Sequence, residues 1–119
     1  MKKVLIVDDD ENILEAVSLI LEESGYKVET TPKGEETFKE VDRFRPDVIV
    51  LDVLMSGSDG REICRKLKGS LQTKRIPVIM FSAHPNAKKS SLEIGADDFL
   101  AKPFEFEDLI KKIERLIKA

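Results

Sequence analysis

Four short stretches of the chain carry side chains that could do chemistry together. Asp8, Asp9 and Asp10 follow the apolar run Val4–Val7, Asp52 follows Val48–Leu51, Ser82 follows Pro77–Phe81, and Lys102, with Pro103 behind it, follows Asp98–Ala101. Gathered at one place, these would be three or four carboxylates, a hydroxyl and an ammonium. Like charges held about 4 Å apart repel by roughly 4 kcal/mol at an effective dielectric near 20, so Asp8, Asp9 and Asp52 would oppose folding without a cation. Lys102 offsets part of that. Hard oxygen donors without nitrogen or sulfur suit Mg2+, which takes one or two carboxylates, waters and a phosphoryl oxygen. An aspartate can itself accept a phosphoryl group as nucleophile while metal, lysine and hydroxyl stabilise charge on the transferring oxygens. The residue types point to phosphate.

The elements that must position these residues are legible in the apolar pattern. Val4–Val7, Val48–Leu51 and Pro77–Phe81 are short, apolar and rich in β-branched residues, which predicts central strands. Helices alternate with them. Ile13, Leu14, Val17, Ile20 and Leu21, and later Phe106, Leu109, Ile110, Ile113, Leu116 and Ile117, follow the helical i, i+3, i+4, i+7 spacing. Lys27–Thr30 reads as a more polar edge strand, Gly34–Phe44 as a second helix stopped before Pro46, and Gly60–Leu67 as a third. Asn86–Ile94 reads as a fourth helix with only Ala87, Leu92 and Ile94 as apolar anchors, so it is expected to be the least firmly held. Asp98–Ala101 is a short last strand.

Five β-α units in succession imply an α/β fold with a parallel sheet covered on both faces, and right-handed crossovers make it a doubly wound three-layer sandwich. In such a sheet the strand C-termini share one edge, where open α/β sheets bind ligands. Singly, each candidate has an ordinary reading: Asp10 as a helix N-cap, Asp8 and Asp9 as a solvated turn, Asp52 as a turn former, Ser82 as a cap and Lys102 as a loop lysine. Asp10 is left to its cap. The shared edge is what those separate readings do not explain.

The length of 119 residues predicts one domain, over 1–119, able to build a core without staples. A single cysteine, Cys64, and a single histidine, His84, exclude an internal disulfide and Cys/His metal spacing. Cys64 lies on an apolar face with Ile63 and Leu67 and reads as core; a reducing, cytoplasmic setting is expected. Twenty basic against twenty-three acidic residues give a net charge of -3, which is no electrostatic footprint for nucleic acid. No signal peptide or membrane span is expected from the apolar runs.

The stretches VLIVDDD, DVIVLDVLMSGSDG, PVIMFSA and DDFLAKPF together resemble the receiver domain of two-component response regulators, of the CheY-like superfamily, across the whole chain and in order. The resemblance implies a flavodoxin-like (βα)5 fold with a five-stranded sheet in order 2-1-3-4-5. It implies that Asp52 accepts a phosphoryl group from a histidine kinase or phosphotransfer protein with Mg2+ as cofactor. Asp9, Asp52 and the Leu54 carbonyl would bind the metal directly and Asp8 mainly through water. Ser82 and Lys102 would hold phosphoryl oxygens, Ser82 and Phe99 would form the switch, and the Lys102–Pro103 bond would be cis. Phosphorylation would then alter the face of the fourth helix, fifth strand and last helix toward a downstream effector protein or domain. The chain would catalyse only its own phosphorylation and slow autodephosphorylation, as a monomer or a phosphorylation-dependent dimer. It would be either a stand-alone receiver or part of a longer regulator or hybrid kinase.

This sequence departs from the family where proline often follows the Met55 equivalent: Ser56 stands there, with Ser58 beyond. The expectation is a looser loop with no ligand touched. Lys112 and Glu114 occupy last-helix positions where DNA-binding dimers of the family usually carry arginine, which argues against that dimer mode. His84, two positions after Ser82, is read as bordering the pocket, with rate tuning and a phosphodonor role both left open. A haloacid-dehalogenase-type phosphohydrolase would use Asp8 and Asp10 as Asp-x-Asp, but Asn12 and the short chain argue against it. A phosphorylation-independent binding module of the same fold would not need the retained Asp9, Asp52, Ser82 and Lys102. A flavodoxin would need a Ser/Thr-rich phosphate loop after the first strand.

Overall fold

The computed structural model describes residues 1–117; the last two residues of the single domain expected over 1–119 lie outside the described residues. Five parallel strands form one sheet: β1 (Lys3–Val7), β2 (Lys27–Thr31), β3 (Val48–Asp52), β4 (Val78–Ser82) and β5 (Asp98–Ala101). Their spatial order is 2-1-3-4-5, all parallel, the order that the receiver resemblance implies. Every residue of β3 and β4 is buried, whereas β2 at the edge is mostly accessible.

Five α-helices cover the sheet: α1 (Glu11–Glu23), α2 (Thr37–Phe44), α3 (Gly60–Lys68), α4 (Ala87–Glu93) and α5 (Phe106–Ile117). Successive strand residues point to opposite faces, which divides the core in two. Val4, Ile6, Val48, Val50, Ile79 and Phe81 pack with Leu14, Val17 and Leu21 of α1 and Leu109 and Ile113 of α5. Leu5, Val7, Ile49, Leu51, Val78 and Met80 pack on the other side with Val41 and Phe44 of α2 and Ile63, Cys64 and Leu67 of α3. α4 adds only Ala87 to that second layer.

Two details differ from the sequence-based expectation. The segment expected as one helix from Gly34 begins as a 3-10 turn over Gly34–Glu36, and the α-helix starts at Thr37. Gly34 lies so close to Ser58 and Ile63 that a Cβ there would sit 2.8 Å from Ser58 Cβ, and the chain enters α2 through this tight contact. The second difference is a small antiparallel ribbon, Leu54–Met55 with Ser58–Asp59, in the loop after β3. No helix among the described residues is long and apolar enough to cross a membrane.

Candidate functional site

Register brings the chemical residues to one edge. Val7 pairs with Leu51, Asp52 with Phe81, and Ser82 with Ala101, so Asp8, Asp52, Ser82 and Lys102 leave the sheet at the same level. Gly60, where α3 begins, closes the loop after Asp52 against β3: its N–H donates to Val53 O at 2.6 Å, and a Cβ would overlap the Asp52 carbonyl oxygen.

Asp8, Asp9 and Asp52 each place a carboxylate oxygen within 4.8 Å of the others. Asp8 is fully buried; its Oδ1 accepts from Asp10 N at 2.8 Å and its Oδ2 from Lys102 Nζ at 2.8 Å. Asp52, 6 % exposed, lies 3.5 Å from the same ammonium. Lys102 is steered by the Phe81 ring, whose centroid is 4.5 Å from Nζ, a cation–π contact. Burial, then the neighbouring Asp8, push the Asp52 carboxyl up to about 7, and Lys102 pulls the other way without matching them. Three carboxylates against one lysine leave an excess of negative charge in a pocket of hard oxygen donors. This donor set fits Mg2+, with Asp8, Asp9 and Asp52 as the residues that would hold it.

Asp9 is held differently. Its Oδ2 accepts from Ser56 N at 2.7 Å, and this bond is the main cause of a carboxyl held below its ordinary value. The expectation that Ser56 leaves the ligands untouched is therefore corrected: a proline in its place would have no N–H to offer. Asp10 caps α1, accepting from Asn12 N at 2.9 Å, and stays outside the cluster. Leu54 opens the ribbon two residues beyond Asp52 with its side chain half exposed. Ser82 is buried at the sheet edge, where its Oγ accepts from His84 N at 3.0 Å. Phe99 is also buried, in the layer shared with Ala87 and Ala96. The Lys102–Pro103 peptide is cis. His84 is exposed and lines a cleft with Leu54, Arg61 and Asn86.

Sequence reasoning missed two members of this neighbourhood. Asp59 caps α3 by accepting from Arg61 N at 2.9 Å, and Arg61 binds back to Asp59 through its guanidinium at 3.1 and 3.0 Å. Asp59 followed by Gly60 at a helix start was a readable capping signal. The contact of Arg61 with Ser90, at 3.2 Å, joins residues 29 positions apart and had no signal in one sequence.

An open, doubly wound α/β sheet with an acidic, lysine-bearing pocket at its carboxyl edge defines a flavodoxin-like class of α/β protein. Within that class the chain belongs to the response regulator receiver domain family, whose profile matches residues 4–114. It is 38% identical over 119 residues to the alkaline phosphatase synthesis transcriptional regulatory protein PhoP of Bacillus subtilis, covering 98% of this chain and 49% of that protein. The chain thus spans about half the length of the curated relatives it matches. Among solved structures it resembles a putative response regulator from Chloroflexus aurantiacus, with a TM-score of 0.93, 34% identity and coverage of 99% and 98% of the two chains. It also resembles response regulator TrrA of Thermotoga maritima in complex with Mg2+-BeF, with a TM-score of 0.89, 32% identity and coverage of 98% and 99%.

Proposed function

We propose that this chain is the phosphoacceptor of a two-component or phosphorelay system and that Asp52 receives the phosphoryl group. The observation that carries the reading is the pairing of a buried Asp52 with Lys102, beside Asp8 and Asp9, at one sheet edge. A bond forms between an Asp52 carboxylate oxygen and phosphorus as the bond from phosphorus to the donor breaks. With a phosphohistidine donor, the leaving imidazole nitrogen keeps the electron pair of that bond. Mg2+, when bound, neutralises charge on the phosphoryl oxygens. Lys102, 2.8 Å from Asp8 and 3.5 Å from Asp52, is placed to follow a phosphoryl oxygen, and the Ser82 hydroxyl to donate to another. The Leu54 carbonyl is assigned to the metal with Asp9 and Asp52, and Asp8 acts through water.

A protein donor fits better than a free small molecule as the physiological source. Beside Lys102 an apolar cleft of about 410 Å³ is lined by Ile13, Ala16, Val17, Pro103, Phe104 and Phe106, a surface suited to an apolar protein face. A histidine kinase or phosphotransfer protein is the assigned donor and a downstream effector protein or domain the receiver of the signal, in the cytoplasm. The protein is no enzyme toward other molecules; it promotes only its own phosphorylation and slow dephosphorylation. Intact mass measured after incubation with Mg2+ and acetyl phosphate tests the reading. We expect a gain of one phosphoryl group, lost in chelator and in Asp52→Asn; undiminished labelling of Asp52→Asn overturns it.

A further inference from the structure

We propose that Arg61 is a latch that holds α4 in its resting position and must release it when Asp52 carries a phosphoryl group. The inference rests on the phosphoacceptor reading above. α4 is seven residues long and buries only Ala87 and Ser91. Alanine offers little apolar area, and the fully buried Ser91 Oγ has no hydrogen-bond partner. An orphaned buried hydroxyl works against the position that buries it. Something other than packing has to contribute to holding the helix.

Among the described residues, one side chain from elsewhere in the fold hydrogen-bonds to α4. Arg61 Nη1 donates to Ser90 Oγ at 3.2 Å, and Ser90 Oγ donates in turn to Ala87 O at 3.1 Å. Arg61 is not free to follow the helix. Its Nε and Nη2 are bound to Asp59, which caps α3 and pairs with Leu54 in the ribbon after Asp52. A second tether lies just before α4: Ser82 Oγ accepts from His84 N in the loop that leads into the helix. A cleft of about 260 Å³, lined by Val53, Leu54, Arg61, His84, Asn86 and Ala87, separates the phosphoacceptor loop from the start of α4.

The two tethers therefore belong to different bodies. Movement of the Ser82 hydroxyl toward a phosphoryl oxygen on Asp52 draws the loop and α4 with it, whereas Arg61 stays with Asp59. A contact made in only one of two states biases the equilibrium against the other by its full strength. Because this bond has a charged donor but is long and partly exposed, its bias is about fivefold.

Two single substitutions in the full chain test the latch. Ser90→Ala removes the acceptor and leaves the Arg61–Asp59 pair, while Arg61→Leu removes the donor and keeps the backbone N–H that Asp59 caps. Amide exchange over residues 87–93 in chelator should be about fivefold faster in each variant and no faster in the double variant. Alanine is the better helix former, so propensity alone would slow exchange in Ser90→Ala. Half-saturation by beryllofluoride with Mg2+, a phosphoryl mimic, should occur at about fivefold lower concentration in both variants. Unchanged α4 exchange in Ser90→Ala overturns the latch. Faster exchange with unchanged beryllofluoride affinity reveals a brace present in both states and overturns it equally. Failure of the unmodified protein to bind beryllofluoride, or binding that survives Asp52→Asn, instead strikes the phosphoacceptor reading.

Discussion

Asp52 combines a buried position with a carboxylate's chemistry, and the two conflict until a cation arrives. With its carboxyl raised to about 7 in the fold and near 3.9 in the unfolded chain, the native state binds more protons between those values. Stability of the metal-free protein therefore falls as pH rises from about 4 to about 7 and is level above. Urea unfolding in chelator should give a protein about 2 kcal/mol less stable at pH 8 than at pH 5. Asp52→Asn should lose that slope and unfold at higher urea than the parent at pH 8. Asp9 has the opposite shift, caused first by the Ser56 N–H. Ser56→Pro deletes that donor, so the Asp9 carboxyl should titrate at higher pH, nearer its ordinary value, as followed by carboxyl carbon chemical shifts.

At the scale of elements, the junction of β3 with α3 is the most constrained part of the site and α4 the least. Gly60 sits against the Asp52 carbonyl, leaving no room for a methyl group without displacing backbone. Gly60→Ala should cost on the order of 3 kcal/mol in denaturant unfolding, because the end of β3 that carries Asp52 must shift or the helix must start later. In Gly60→Ala, phosphorylation by acetyl phosphate should slow as well, since the displaced atoms belong to Asp52, the proposed phosphoacceptor. α4, anchored by Ala87, a buried serine without a partner and a single arginine contact, has the composition of an element that can move.

For the whole molecule, the sheet divides the core into two layers that meet at its strands. Cys64 is fully buried in the layer under α2 and α3, and burial pushes its thiol up to about 11. A thiol so placed is a poor nucleophile in the native state. Labelling of Cys64 by a disulfide reagent at pH 8 should follow global unfolding and rise with urea in parallel with loss of helical signal. Rapid labelling in native buffer would show that the α3 layer opens by itself.

The apolar runs and helical spacings were enough to determine the five β-α units, because burial on both faces of a parallel sheet leaves a strand apolar throughout. With right-handed crossovers those units place every strand's carboxyl end on one edge, and so Asp8, Asp9, Asp52, Ser82 and Lys102 were legible as a group before any coordinate. What the tertiary structure decided were contacts between residues whose separation carries no periodic signal. Ser56 N–H binding Asp9 and Arg61 reaching Ser90 depend on where two loops and two helices meet in space. The 3-10 entry to α2 and the ribbon of Leu54–Met55 with Ser58–Asp59 meet likewise where Gly34 packs against Ser58 and Ile63. Local pattern fixes which surface an element buries; only the assembled fold sets the distance between polar groups on different elements, and hydrogen bonds and carboxyl ionisation respond to that distance.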